Sequence, residues 1–89
     1  YRIELGEIEA CIASDPNVYE SCITFGKRNN LEIITCFIST TLSKKELIQI
    51  FTTKLPNYMI PKEIILMKTL PKNQNGKIDK LKLTSDYYD

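Results

Sequence analysis

Along the first part of the chain, Leu5, Ile8, Cys11 and Ile12 fall at helical spacing, with Glu4, Glu7 and Glu9 set around them. Residues three and four apart share one helix face, so the pattern predicts a helix from about Leu5 to Ala13, which Ser14-Asp15-Pro16-Asn17 ends. Carboxylates at its start suit the positive end of the helix dipole. The period then changes. From Val18 to Phe25 and from Leu31 to Ser39 the chain is rich in Ile, Thr, Phe, Val and Cys, and Gly26-Lys27-Arg28-Asn29-Asn30 between the two runs is turn material, which together predict a β-hairpin. Ser43 followed by Glu46 forms a capping box, and Leu47, Ile50, Phe51 and Leu55 mark a second helical stripe that stops before Pro56. Lys62-Glu63-Ile64-Ile65-Leu66-Met67 reads as a third strand, which Pro71 closes off. A turn-rich loop and a short last helix over about 79–85 follow, with Asp86-Tyr87-Tyr88-Asp89 as a tail free to fray or to continue. The expected fold is a small α+β domain: a three-stranded sheet containing a β-hairpin, with two to three helices packed mainly on one face.

Size and composition narrow the classes. A chain of 89 residues is one domain at most, hiding roughly 60–65% of its unfolded surface, so its core is modest. Apolar residues at 43% and charged residues at 26% are ordinary globular values. No run approaches the ~18 apolar residues of a membrane span, so a soluble protein without a membrane partner is expected. The start lacks a signal peptide's basic and apolar regions and has no initiating Met, which points to a piece of a longer chain. Cys11, Cys22 and Cys36 are odd in number, form no C-x-x-C pair and have no His to join them. They read as reduced core thiols of a cytoplasmic protein, with no metal site expected. The absence of His also removes any Ser-His or Cys-His nucleophile and any His general base from this chain.

The net charge of +1 hides an uneven distribution. Residues 1–43 carry three basic and six acidic side chains, whereas residues 44–82 carry nine lysines and three acids. Such a half is either a solvated lysine-rich surface or a face turned toward phosphates or an acidic partner. Within it lies Leu70-Pro71-Lys72-Asn73-Gln74-Asn75-Gly76-Lys77-Ile78-Asp79-Lys80. Asn75-Gly76 suits a tight turn whose residues need positive φ, and Lys77 leaves that turn with its ammonium several ångströms out. On its own an Asn-Gly-Lys turn is usually a solvated hairpin tip.

The company this loop keeps changes that reading. Residues 1–10 (YRIELGEIEA), 55–61 (LPNYMIP) and 70–80 (LPKNQNGKIDK) resemble, in order and at suitable spacing, the last three signature motifs of the adenylate-forming (AMP-binding) enzymes. That superfamily includes the adenylation domains of nonribosomal peptide synthetases, D-alanine:carrier-protein ligases, acyl-CoA synthetases and luciferases. The resemblance covers essentially the whole chain, as the C-terminal cap subdomain alone. It implies a fragment, inactive by itself, whose large N-terminal subdomain with the phosphate loop and substrate pocket is absent. It further implies a two-step reaction. A small-molecule carboxylate attacks the α-phosphate of Mg-ATP to give an acyl-adenylate and pyrophosphate, and a thiol then takes the acyl group as AMP leaves. The cap turns about a hinge so that a different face closes the site for each step.

Lys77 matches the lysine of the family's last motif, which bridges carboxylate and α-phosphate in the first step, and Gly76 would let the backbone pass close to the nucleotide. Asn75 and Asp79 would hold the loop's shape. Arg2 matches a family arginine near the nucleotide, and residues 1–7 would border the channel for a phosphopantetheine arm. The hinge residue and the channel glycine fall outside this sequence. Tyr58 and Met59 are expected to pack against the cap's core. Leu5-Gly6 resembles peptide synthetase and D-alanine ligase members, whereas CoA ligases and luciferases more often place Pro-Ala there, which favours amino-acid activation with a carrier protein as acceptor. The rivals are an acyl-CoA synthetase lid and a free-standing basic α+β module binding nucleic acid or protein. Against nucleic acid, no aromatic residues interleave with the lysines and neither an RRM-type strand motif nor a G-x-x-G loop is present.

Overall fold

The computed structural model describes residues 4–89. Helix α1 spans Leu5–Ala13, strands β1 and β2 span Val18–Arg28 and Leu31–Thr40, helix α2 spans Lys44–Lys54, strand β3 spans Glu63–Leu66 and helix α3 spans Lys80–Tyr87. The strands form one sheet in the order β1-β2-β3, antiparallel between β1 and β2 and parallel between β2 and β3. Parallel neighbours need a crossover connection, and α2 with the 3₁₀ turn Asn57–Met59 supplies it.

The hairpin turn is tighter than its composition suggests. Gly26, Lys27 and Arg28 stay paired with Ile33, Glu32 and Leu31, so only Asn29 and Asn30 turn, with φ of 53° and 67°. Two consecutive left-handed residues match the twist of the flanking strands, and Asn tolerates that region better than most side chains. Helix α2 starts on the expected capping box: Ser43 Oγ accepts from the Glu46 N–H at 3.1 Å, and Glu46 Oε1 accepts from the Ser43 N–H at 3.0 Å.

Strand side chains alternate between faces, so the sheet carries two apolar clusters. Ile23, Ile34, Cys36, Ile38 and Ile64 meet Ile8 and Ile12 of α1 and Leu47 and Phe51 of α2. On the opposite face Cys22 and Phe37 meet Leu70 and Leu83, the latter from α3. The α+β class and the placement of α1 and α2 on one face agree with the sequence reading, and α3 takes the other face. Burial raises the pKa of all three free thiols, that of Cys36 to about 12, so they are neutral packing groups. Among the described residues no helix is long and apolar enough to cross a membrane.

The C-terminal tail does not fray. Tyr88 donates to Thr35 Oγ1 at 2.8 Å and shares a 2.6 Å bond with Thr24 Oγ1, both threonines being buried. Its ring occupies the place a side chain on residue 26 would need, since a Cβ on Gly26 would lie 2.7 Å from it. Tyr87 meets Phe37 edge-on at 5.4 Å and lies beneath the Arg28 guanidinium at 4.1 Å. The Asp89 N–H donates to Lys27 O at 2.9 Å, and Asp89 Oδ2 accepts from the Asn29 N–H at 2.6 Å.

Candidate functional site

Lys77 sits near the tip of a small hairpin between β3 and α3. Lys72 and Ile78 form an antiparallel bridge at its stem. The Asn73 N–H donates to Lys77 O at 2.8 Å and the Gly76 N–H to Asn73 O at 3.0 Å. Asn73 Oδ1 then accepts from the N–H groups of both Asn75, at 2.9 Å, and Lys77, at 3.1 Å. Asn73 therefore performs the shaping task that the sequence reading gave to Asn75, which contributes only its backbone N–H. The signal for Asn73 was visible, an Asn whose side chain can bond the backbone two residues on, but Asn75 offered the same signal. Gly76 has φ of 78°, a region that favours glycine, whereas Asn75 is not left-handed. A Cβ on Gly76 would meet nothing within 4 Å, so the requirement is conformational rather than one of space within this chain. Asp79 has the expected role: its N–H donates to Pro71 O at 2.8 Å and its Oδ1 accepts from the Lys82 N–H at 3.1 Å, joining the hairpin to the start of α3.

The stem is fastened to the sheet at Glu20, which the sequence reading missed. Its Oε1 accepts from the Leu70 N–H at 3.1 Å, its Oε2 pairs with the Lys72 ammonium, and that ammonium also donates to Leu70 O at 3.1 Å. The Lys72 bond, helped by the Leu70 N–H, holds the Glu20 carboxyl below the usual glutamate range. No local pattern could reveal this tether, because its partners are fifty residues apart in the chain.

The Lys77 side chain is exposed and makes no hydrogen bond or ion pair among the described residues. Beside it runs an open groove of about 480 Å³ lined by Glu9, Glu20, Lys72, Gly76, Lys77 and Ile78, among others. An unpaired ammonium on a short, multiply bonded loop can neutralise charge that another body brings to it. With Cys22 and Cys36 buried, Cys11 half-buried and no His in the chain, the arrangement offers electrostatic stabilisation and no Cys-His or Ser-His nucleophile. Arg2 lies outside the described residues, as does part of the 1–7 stretch, so the structure brings together Gly76 and Lys77 of the expected set. In the middle motif Met59 is buried as expected, whereas Tyr58 is 45% exposed. Buried Pro61 and a 3.0 Å bond from the Lys62 N–H to Ile34 O lead the chain from this motif into β3.

A sequence model described as the AMP-binding enzyme C-terminal domain matches residues 7–77. One of the mycosubtilin synthase subunits of Bacillus subtilis is 42% identical over 88 residues, which cover 96% of this chain and 3% of that protein. The L-allo-isoleucine:holo-[CmaA peptidyl-carrier protein] ligase of Pseudomonas savastanoi pv. glycinea is 32% identical over 89 residues, covering 93% of this chain and 15% of that one. Among solved structures, a fatty acyl CoA synthetase of Mycobacterium tuberculosis superposes with a TM-score of 0.86 at 26% identity, over 98% of this chain and 18% of its own. The chain thus spans less than a fifth of the length of each of these proteins.

Proposed function

This chain belongs to the AMP-binding enzyme C-terminal domain family, and we propose that it is the mobile lid of a larger ATP-dependent ligase that activates an amino acid as its adenylate. The single observation that carries this reading is Lys77: an exposed ammonium with no partner among the described residues, at the end of a loop fixed by hydrogen bonds to Asn73. In adenylate formation negative charge gathers between the attacking carboxylate and the α-phosphate, and one cation lying between them is stabilised most when both charges converge. A compact ammonium on a flexible stem suits that task. Gly76 and Lys77 are the residues that would approach the nucleotide, and the open tip is compatible with phosphate oxygens there. ATP with Mg would be held mainly by an N-terminal subdomain of the same enzyme, with Arg2 a further candidate on this side. A cytoplasmic setting suits the free thiols.

For the second step we assign a phosphopantetheine thiol of a carrier protein as acceptor. The support is the relative whose name states a peptidyl-carrier protein ligase, together with Leu5-Gly6 in the first motif. The acyl-CoA synthetase likeness is one of fold and favours CoA as the second reading, because the same lid architecture serves either acceptor.

The test uses the intact ligase. Lys77→Ala is expected to slow amino-acid-dependent ATP–pyrophosphate exchange about 10²- to 10³-fold, while transfer from a preformed acyl-adenylate to the carrier thiol survives. Undiminished exchange would remove the assignment.

A further inference from the structure

We infer that Glu20 is a positioning residue for Lys77, acting through Leu70 and Lys72; this rests on the lid reading above. The observation that carries it is a tether. Glu20 uses one oxygen for the Leu70 N–H and the other for the Lys72 ammonium, and Leu70 and Lys72 flank the start of the hairpin that ends in Lys77. Asp79 ties the second arm of the hairpin to α3, and the first arm is held to the sheet by Leu70 and Glu20. Buried Leu70, wedged between Cys22, Phe37 and Leu83, fixes the depth of that arm, and Glu20 fixes its direction.

A β-bulge lies just before Glu20. Val18 pairs with Thr40 and Glu20 with Ser39, so β1 advances two residues against one on β2. In an unbroken strand residues 18 and 20 would share a face. The bulge instead lets Val18 pack into the cluster under α1 and α2, while Glu20, in unbroken register with Cys22, faces the hairpin on the other side of the sheet. Tyr19, the extra residue, is left 67% exposed. The bulge thus returns Val18 to the apolar face under α1 and α2, and Glu20 keeps the loop side that its unbroken pairing with β2 sets.

A charge-stabilising group misplaced by about 1 Å loses much of its effect, so a loosened stem should act on the rate of the first step rather than on substrate binding. The experiment measures ATP–pyrophosphate exchange and transfer from a preformed adenylate in the intact ligase, with the amino acid that screening of the wild type selects. Glu20→Gln keeps an acceptor for the Leu70 N–H but loses the charge pair, and Lys72→Met removes the pair from the other side at a partly exposed position. Each is expected to lower kcat for exchange about tenfold or more, with KM for ATP and the transfer step unchanged. Glu20→Gln combined with Lys77→Ala should be no slower than Lys77→Ala alone, because a positioning residue has nothing left to position. If Lys77→Ala abolishes exchange but Glu20→Gln and Lys72→Met leave kcat intact, the inference fails and the lid reading stands. If exchange and transfer fall together, Glu20 serves the fold and the inference fails. If Lys77→Ala is harmless, both fail. Should Glu20→Gln not fold, Lys72→Met decides the question by the same criteria.

Discussion

The face of the sheet under α1 and α2 and the face under α3 and the tail differ in how they are held. The first is a continuous set of buried apolar side chains running from Ile8 through Phe51 to Ile64. The second has a smaller cluster of Cys22, Phe37, Leu70 and Leu83, and beside it three buried hydroxyl residues, Thr24, Thr35 and Ser39. Each of those hydroxyls is bonded to a segment that crosses the sheet: Thr24 and Thr35 to Tyr88, and Ser39 to Lys68 O at 2.8 Å. Apolar burial is strong but non-directional, whereas a hydrogen bond fixes an angle and a distance. The first face thus holds most of the stability, and the second sets where the Lys77 loop and the tail lie. The proposed lid would need both: a core that survives movement as a body, and a loop delivered in one orientation.

Substitutions can break this contrast. Phe51 is fully buried among α1, α2 and the sheet, and Phe51→Ala should cost about 3–5 kcal/mol in chemical denaturation; a small loss would show that the first face is not the main store of stability. On the second face Tyr88→Phe leaves two buried threonine hydroxyls without their shared partner and should cost about 1–3 kcal/mol. It should also shift the NMR signals of Tyr87 and Phe37, which a passive tail would not do. Gly76→Ala forces an L side chain into φ of 78°, a cost of about 1–2 kcal/mol borne by the loop alone. Its mark should be shifted Asn75 and Lys77 amide signals with α1 and α2 unchanged.

The smallest expected effect is a pH dependence. The Glu20 carboxyl lies below its unperturbed 4.5 because of Lys72 and the Leu70 N–H. A carboxylate with a depressed folded value contributes above the unfolded value and loses that contribution as pH falls through the folded one. The tether should therefore be complete at neutral pH, and the Leu70 amide shift should titrate with an apparent pKa below 4.5. A titration at or above that value would show the bonds to be absent in solution.

These faces were not equally legible in the sequence. Helices α1 and α2, the capping box at Ser43 and Glu46, and both long strands could be read because apolar period and cap residues are local signals. The parallel pairing of β3 was not, since direction depends on the route of the chain after α2, through buried Pro61. The docked tail was not either: Tyr87 and Tyr88 have no periodic pattern, and their seat is made by Gly26, Thr24 and Thr35 some sixty residues away. Lys77 was found through its motif, Gly76 through its turn chemistry. Asn73 was obscured by Asn75, and Glu20 could be assigned only from three-dimensional proximity.

On the proposed function, the second face delivers one ammonium to the point where carboxylate and nucleotide join. The direct measurement is a crystal structure of the intact ligase closed on a non-hydrolysable acyl-sulfamoyl adenosine. Lys77 Nζ is expected about 3 Å from the sulfamoyl or acyl oxygens, with the Glu20–Lys72 pair intact behind it. A closed lid that leaves this nitrogen in solvent, with another cation occupying the junction, would contradict it.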